Sequence, residues 1–517
     1  MSQQTRLRQI ANDPKLSYAQ KSRYLSLEAD GMLDYPQLPQ AARQAMDQGM
    51  ICDLFEGHAP FKPRYVLPDY EKALQQGSKW LELEPPQDLD EAINFLLVLY
   101  HHVPSVTNLP VSVGRLDVLL EPYLDQSISQ AQLEKKIRLM WQMIDRTLPD
   151  AFIHANIGPH DSRVGRAVLK VDGELAQVAP NLTMRYQAGI TPDDMLQQAV
   201  ENICKCNKPH IANEAMIAKD FDEKGFGIVS CYNSLPYAGG AHTLVRLNLK
   251  QVAEMSDGTE TDFLQRAIPL ACQWMYQVID ARIDYLVNQS NFYQSSFLVA
   301  EGLIDPERFT AMFGTFGLAE ATNYLIQASG QQGRYGHDQQ ANQLALRITQ
   351  ALAEIVETTP VKHCWRERAM FHAQSGISID TDTSAGCRIP YGEEPDNLQH
   401  ILTVLPHHKY FTAGISDIFP IDETIEQNLQ ALMTVCKGAL DQGLRMFTAN
   451  VANNELIRVT GYMVRRSDIK NMQEKGSRIN SSAFGAEAVE KCNILQRNAR
   501  VISQEMHPFF NGSDDAR

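Results

Sequence analysis

Behind Asp88 the apolar positions Leu89, Ala92, Ile93, Leu96 and Leu97 recur every three or four residues, the spacing that lines one face of a helix. Asp88 itself predicts the start, because a carboxylate there can accept from the unpaired N–H groups of the first turn. A second start stands at Thr191-Pro192-Asp193-Asp194, with a capping hydroxyl, a proline for the first turn and two acids facing the helix dipole. Met195, Leu196, Ala199, Val200 and Ile203 then share a face. Ile425, Leu429, Leu432, Met433, Cys436 and Leu440 form another core-facing stripe. Short β-type runs interrupt the helices. Gly227 to Cys231 is one; His242 to Leu249, where Val245, Leu247 and Leu249 alternate with Arg246 and Asn248, is a second. Leu444 to Val451 reads as a further strand and Asn450 to Glu455 as a loop after it. The mixture predicts an α/β architecture. Gly330 to His337 reads as a plain connection, since it lacks the Lys-Ser/Thr ending of a phosphate-binding loop. The polar stretch from Thr383 to Asn397 predicts a boundary.

At 517 residues the chain can bury a large core and hold two or three structural units. Forty-seven Lys and Arg against 62 Asp and Glu leave a net charge of −15, which repels a phosphate backbone and argues against a nucleic-acid partner. The first residues lack the apolar core of a secretory signal, and the densest apolar run, Phe95 to Tyr100, is too short to cross a bilayer. A cytoplasmic protein with no membrane partner is therefore expected. Nine cysteines at irregular spacing argue against a disulfide framework. The one close pair, Cys204-Lys205-Cys206, has no second pair at metal-ligand spacing, so no metal site is expected there.

Arg458-Val459-Thr460-Gly461-Tyr462 is compatible with a strand that turns at Gly461. Its surroundings say more. The run Asn450 to Val464 resembles the C-terminal glycyl radical motif of pyruvate formate-lyase and its relatives, with Thr460 where Ser, Ala or Cys is more usual. Gly114-Arg115-Leu116-Asp117 with Glu121-Pro122-Tyr123 resembles a segment of the same superfamily, as do Pro180-Asn181-Leu182-Thr183-Met184-Arg185 and Pro209-His210-Ile211-Ala212-Asn213-Glu214. Ile228-Val229-Ser230-Cys231 follows, where those proteins carry a catalytic cysteine. Phe313 to Ala321 is similar to anaerobic ribonucleotide reductases. The nearest overall likeness is to the YjjI family.

That resemblance implies a radical stored on Gly461 and a thiyl formed on Cys231. An unpaired electron on a glycine α-carbon is shared between the donating amide nitrogen and the withdrawing carbonyl, and without a Cβ the centre can flatten. A thiol S–H bond is near enough in strength for a hydrogen atom to pass back and forth. Such a transfer requires Gly461 and Cys231 to lie within roughly 5 Å of each other. A closed interior that excludes water and oxygen is also expected.

The residues after the cysteine narrow the reaction. Glycyl radical dehydratases carry Cys-x-Glu-Pro, whereas Cys231-Tyr232-Asn233-Ser234 has no carboxylate there. Pyruvate formate-lyase has two adjacent cysteines; here Ser230 precedes Cys231. A four-cysteine zinc knuckle near the radical glycine, usual in the reductases, is missing, since only Cys436 and Cys492 lie in that region. Asn233 and His242, flanking the cysteine loop, and Glu214 are acid–base candidates, although a lone group of this kind beside a core strand is more often a structural hydrogen-bonding group. Arg388 is either an anion-binding residue or one half of an ion pair. Gly239-Gly240 reads as a turn. Lyase- or dehydratase-type chemistry on a small polar metabolite under anaerobic conditions is the first expectation. A reductase-like enzyme and a catalytically silent barrel are the alternatives.

The resemblance further implies a ten-stranded β/α barrel of two antiparallel five-strand halves, surrounded by helices. Residues 1–390 would form the barrel with the Cys231 loop, and residues 391–517 a glycyl radical domain with the Gly461 loop. The chain would bind no cofactor of its own. A separate radical S-adenosylmethionine activating enzyme with an iron–sulfur cluster would install the radical. Homodimers are usual in the class.

Overall fold

The computed structural model describes residues 3–53, 56, 59–105, 110–148, 152–230, 232–373, 383–390, 392–458 and 463–478. Cys231 and Gly461 lie outside the described residues; Ser230 and Tyr232 beside the first are within them, and Arg458 and Met463 are the nearest described residues to the second.

Ten strands form two mixed five-stranded sheets. In the first, β3 (Ser112–Arg115), β4 (His154–Ile157), β5 (Asn181–Tyr186) and β6 (His210–Asn213) run parallel, and β13 (Met446–Phe447) closes the edge antiparallel to β6. In the second, β9 (Gly239–Asn248), β10 (Phe309–Phe316) and β11 (Ala369–Ala373) are parallel, while β1 (Ile51–Asp53) and β2 (Tyr65–Leu67) pair antiparallel with β9. The expected strand number is there, but among the described residues no backbone pairing joins the two sheets into a closed barrel. A hairpin, β7 (Phe226–Val229) and β8 (Asn233–Pro236), occupies the interior as a separate two-stranded unit.

Three apolar clusters follow this layering. One packs Leu96, Ile137, Trp141, Val168, Leu182 and Met184 between the first sheet and its helices. A second packs Val245, Leu247, Met275, Phe313 and Ile348 on the outer face of the second sheet. The third lies between the sheets and gathers Ile228 and Leu235 of the hairpin, Ala212, Leu244, Met312, Met370 and Ile457. The strands are buried on both faces and still alternate: β4 (His-Ala-Asn-Ile) and β5 (Asn-Leu-Thr-Met-Arg-Tyr) put Ala155, Ile157, Leu182 and Met184 in the apolar layer, while His154, Asn156 and Arg185 on the opposite face reach the hairpin.

The helix Leu89–Tyr100 starts as predicted, with Asp88 accepting from the Glu91 N–H. The helix Asp193–Cys206 also forms, but Pro192 occupies the cap position without a side-chain bond. The Thr191 hydroxyl is turned away: it donates to the Pro159 carbonyl and accepts from the Gln187 N–H. Cys436 is buried on the helix Leu429–Asp441 beside Leu432, Met433 and Leu440, as its stripe predicts. The single strand expected over 444–451 is split. β13 ends at Phe447, and β14 (Ala449–Val451) pairs with β12 (Phe419–Ile421). Thr448, at the break, holds the two units together through His210 of β6 and Ser416. No helix among the described residues is long and apolar enough to cross a membrane.

Candidate active site

The interior hairpin pairs Val229 with Asn233, leaving Ser230, Cys231 and Tyr232 as its connection. Ser230 (φ 51°) and Tyr232 (φ 67°) both adopt left-handed backbone conformations that cost side-chain-bearing residues about 1–2 kcal/mol each. So tight a reversal persists only where its surroundings impose it. From the first sheet, Asn156 accepts from the Ile228 N–H at 2.9 Å and donates to the Ile228 carbonyl at 2.7 Å. His154 Nδ1 donates to the Ser230 carbonyl at 3.1 Å, and Arg185 reaches the Phe226 carbonyl at 3.3 Å. From the other side, the Ser234 N–H donates to the Ala413 carbonyl, and Gly414 lies so near that a Cβ on it would stand 2.2 Å from the Tyr232 carbonyl oxygen.

The second loop rises from an antiparallel pair, β15 (Leu456–Arg458) and β16 (Met463–Arg465), with Gly461 between them in sequence. Asn450 grips the backbone of Arg458 in both directions, at 2.9 and 3.0 Å. The Arg458 guanidinium is buried and donates to His210 Nε2 at 2.7 Å, to the Asn207 carbonyl at 2.8 Å and to Asn181.

His210 joins the two loops. Its ring takes the Arg458 hydrogen bond and stands edge-on to Tyr232, with centroids 4.9 Å apart. It also stacks on His154 at 5.7 Å. Because guanidinium only donates, His210 Nε2 must be the acceptor and Nδ1 must carry the proton. That proton goes to Thr448 Oγ1 at 2.8 Å, Thr448 donates to Ser416 Oγ at 2.7 Å, and Ser416 donates to the Asp417 carbonyl. The same logic fixes His154: a carbonyl only accepts, so Nδ1 is protonated and Nε2 accepts from the Thr183 hydroxyl at 2.7 Å. Burial drives both histidines toward the neutral form, His154 to about 3 and His210 well below its usual value, with the Arg458 charge adding to the effect on each. Burial, followed by the neighbouring Arg388, also lowers Arg458 to about 10.

Of the residues singled out from sequence, Asn233 and Arg388 stand beside this junction. Asn233 is fully buried, and neither amide atom has a hydrogen-bond partner among the described residues. Arg388 donates to the Tyr232 hydroxyl at 3.3 Å and to the Ser416 carbonyl at 3.2 Å; no carboxylate is paired with it among the described residues. Glu214 is elsewhere. It binds Arg185 at the root of the hairpin, on the wall of a cavity of about 640 Å³ that also exposes Arg115, Tyr237 and Lys224. His242 is likewise apart, with one ring nitrogen on the His363 carbonyl and the other on the Tyr293 hydroxyl. Gly239 and Gly240 approach the backbone of Arg308 and Tyr65, where a Cβ would collide at 2.2 and 1.9 Å. They serve the packing of β9, not a turn alone. Cys204 and Cys206 are buried, which pushes their thiols up to about 11 and 12, and no cluster of His, Cys, Asp and Glu among the described residues could hold a metal ion.

Sequence reasoning missed His154, Asn156 and the bridging role of His210. His210 lay inside a matched segment, yet nothing local marks a histidine whose partners are 238 and 248 residues away.

A family model described as glycyl radical enzyme YjjI-like matches residues 16–500. The protein YjjI of Escherichia coli (strain K12) is 55% identical over 508 residues, covering 98% of each chain. The fold is similar to hydroxyproline dehydratase from Clostridioides difficile (TM-score 0.67, 12% identity, 94% of this chain and 88% of that one). It is similar as well to the anaerobic ribonucleotide reductase from Thermotoga maritima (TM-score 0.65, 14% identity, 92% and 89%).

Proposed function

The chain belongs to the YjjI-like family of glycyl radical enzymes, and from that premise we propose that Gly461 stores an unpaired electron and Cys231 is its outlet to substrate. One observation carries the reading: His210 touches both Arg458, three residues before Gly461, and Tyr232, the residue after Cys231. The thiol gives its hydrogen atom to the glycyl α-carbon, and the thiyl left on sulfur takes one from a substrate C–H bond. The two five-stranded sheets act as the halves of a barrel around the hairpin, and the apolar cluster between them keeps water out.

The reaction is a lyase- or dehydratase-type step on a small polar metabolite. Two features support it: the likeness to a dehydratase fold and the unpartnered Asn233 amide, which is suited to a substrate hydroxyl or carbonyl. Arg388 would face an anionic group on the same molecule. Glu214 and His242, bound to other partners, are the weaker candidates for proton transfer. The reductase-like alternative has a fold likeness of equal strength, and nucleotide binding by the purified protein would favour it. Residues 391–517 act as the glycyl radical domain, loosening in the cytoplasm for a radical S-adenosylmethionine activase.

Anaerobic activation followed by electron paramagnetic resonance tests the proposal. A glycine-centred doublet is expected, absent in Gly461→Ala. Cys231→Ser should keep the doublet and lose turnover in a metabolite screen. No doublet in the wild-type protein, with an activase competent on another substrate, would overturn it.

A further inference from the structure

The three contacts that β4 and β5 make with β7 fall in step. His154 holds the carbonyl of Ser230, and two residues further along β4 Asn156 holds both backbone groups of Ile228. At the next such level Gly158, just past the end of β4, has no side chain, and Arg185, one residue past the Ile157–Met184 pair, reaches the carbonyl of Phe226 instead. Two residues forward on β4 are thus two residues back along the hairpin arm, from Ser230 to Ile228, and Arg185 of β5 continues the step to Phe226. This is the register of an antiparallel strand pair, made with side chains in place of a backbone.

The ladder ends at the carbonyl of the peptide unit that enters Cys231. We propose that His154 is the positioning residue for the Cys231 thiol, with Asn156 and Arg185 setting the register and the Thr183 hydroxyl anchoring the imidazole at Nε2. The inference rests on the reading of Cys231 as the hydrogen-atom donor and adds to it a cause for the sulfur's placement. Its chemistry is specific. Only a neutral imidazole with the proton on Nδ1 can accept from Thr183 and donate to Ser230 together. An asparagine at 154 places an N–H close to where Nδ1 stands, whereas a leucine fills the space and donates nothing.

Hydrogen exchange at the glycyl radical reads the placement without any substrate. In D₂O the thiol carries deuterium; the S–D bond breaks as Cα–D forms and the radical moves to sulfur, and when the thiyl then takes the protium from the CHD carbon, S–H forms and deuterium stays on the radical α-carbon. The α-hydrogen splitting of the doublet then collapses at a rate set by the approach of sulfur to carbon. In the activated full-length protein, His154→Leu should slow this collapse at least tenfold at unchanged radical content, and His154→Asn should restore it to within about threefold, since a displacement of order 1 Å costs on the order of a hundredfold. Thr183→Val, nearly isosteric, should slow it three- to tenfold, and it decides the matter if the leucine variant does not fold. Collapse in Thr183→Val and His154→Leu as fast as in wild type would overturn the ladder while leaving the thiol's role intact. Collapse in wild type that persists in Cys231→Ser would instead remove the underlying reading.

Discussion

Gly414→Ala is the sharpest probe of how the hairpin is held. Position 414 has φ +120°, and its missing Cβ would stand 2.2 Å from the Tyr232 carbonyl oxygen, 3.0 Å from the carbonyl carbon and 3.2 Å from the Asn233 Cα. A methyl group there needs about 1 Å more room, and every near atom is backbone. The segment cannot retreat freely, because Ala413 donates to the Phe371 carbonyl, Ala373 donates to the Gly414 carbonyl, and Ser234 donates to the Ala413 carbonyl. Overpacking costs roughly 1–3 kcal/mol and the backbone conformation another 1–3 kcal/mol, so a loss of about 3–5 kcal/mol is expected. For a chain of this size that corresponds to a fall of roughly 3–5 °C in the unfolding midpoint. Gly443→Ala is the control. Its φ is +103° and nothing lies within 4 Å of the added Cβ, so it carries only the backbone cost. Differential scanning calorimetry of the unactivated protein under nitrogen measures both. Equal midpoints for the two variants would refute the argument that Gly414 exists for close approach.

Two further outcomes follow from the buried polar groups. Burial lowers His154 and His408 to about 3 and His242 and His407 to about 4, so each binds a proton when unfolded near pH 6.5 but not when folded. Their stability is complete above about pH 6.5 and is lost as pH falls toward 4, by about 1.4 kcal/mol per pH unit for each histidine. Unfolding midpoints recorded from pH 7.5 to 5.0 should drop progressively below 6.5, and a flat profile would contradict the assigned neutral tautomers. Asn233→Leu removes a buried amide with no described partner, so the variant should match or exceed wild type by about 1–2 kcal/mol while losing turnover. A marked loss of stability would show that the amide is structural.

Local pattern carried a good deal. The caps and apolar faces of the helices at Leu89 and Leu429, and the alternation in β9, were legible because each depends on residues within one or two turns or pleats. The helix at Asp193 was legible too, but not its cap, since the Thr191 hydroxyl binds a carbonyl 32 residues away. The break between β13 and β14 was hidden for a similar reason: Thr448 answers to β6 and to Ser416, neither of which is adjacent in the chain.

The order of motifs along the chain was enough by itself to identify the radical family, and the same resemblance is what points to Gly461 and Cys231 as the proposed radical and thiol positions. Tertiary structure alone decided what holds their loops. His154, Asn156 and His210 act on backbone and side chains 72 to 248 residues away, and a carbonyl of Ser230 or Ile228 has no identity that a sequence can advertise. A hydrogen bond from a side chain to a main-chain atom leaves no complementary residue to read, so it becomes visible only when the sheets bring the two together.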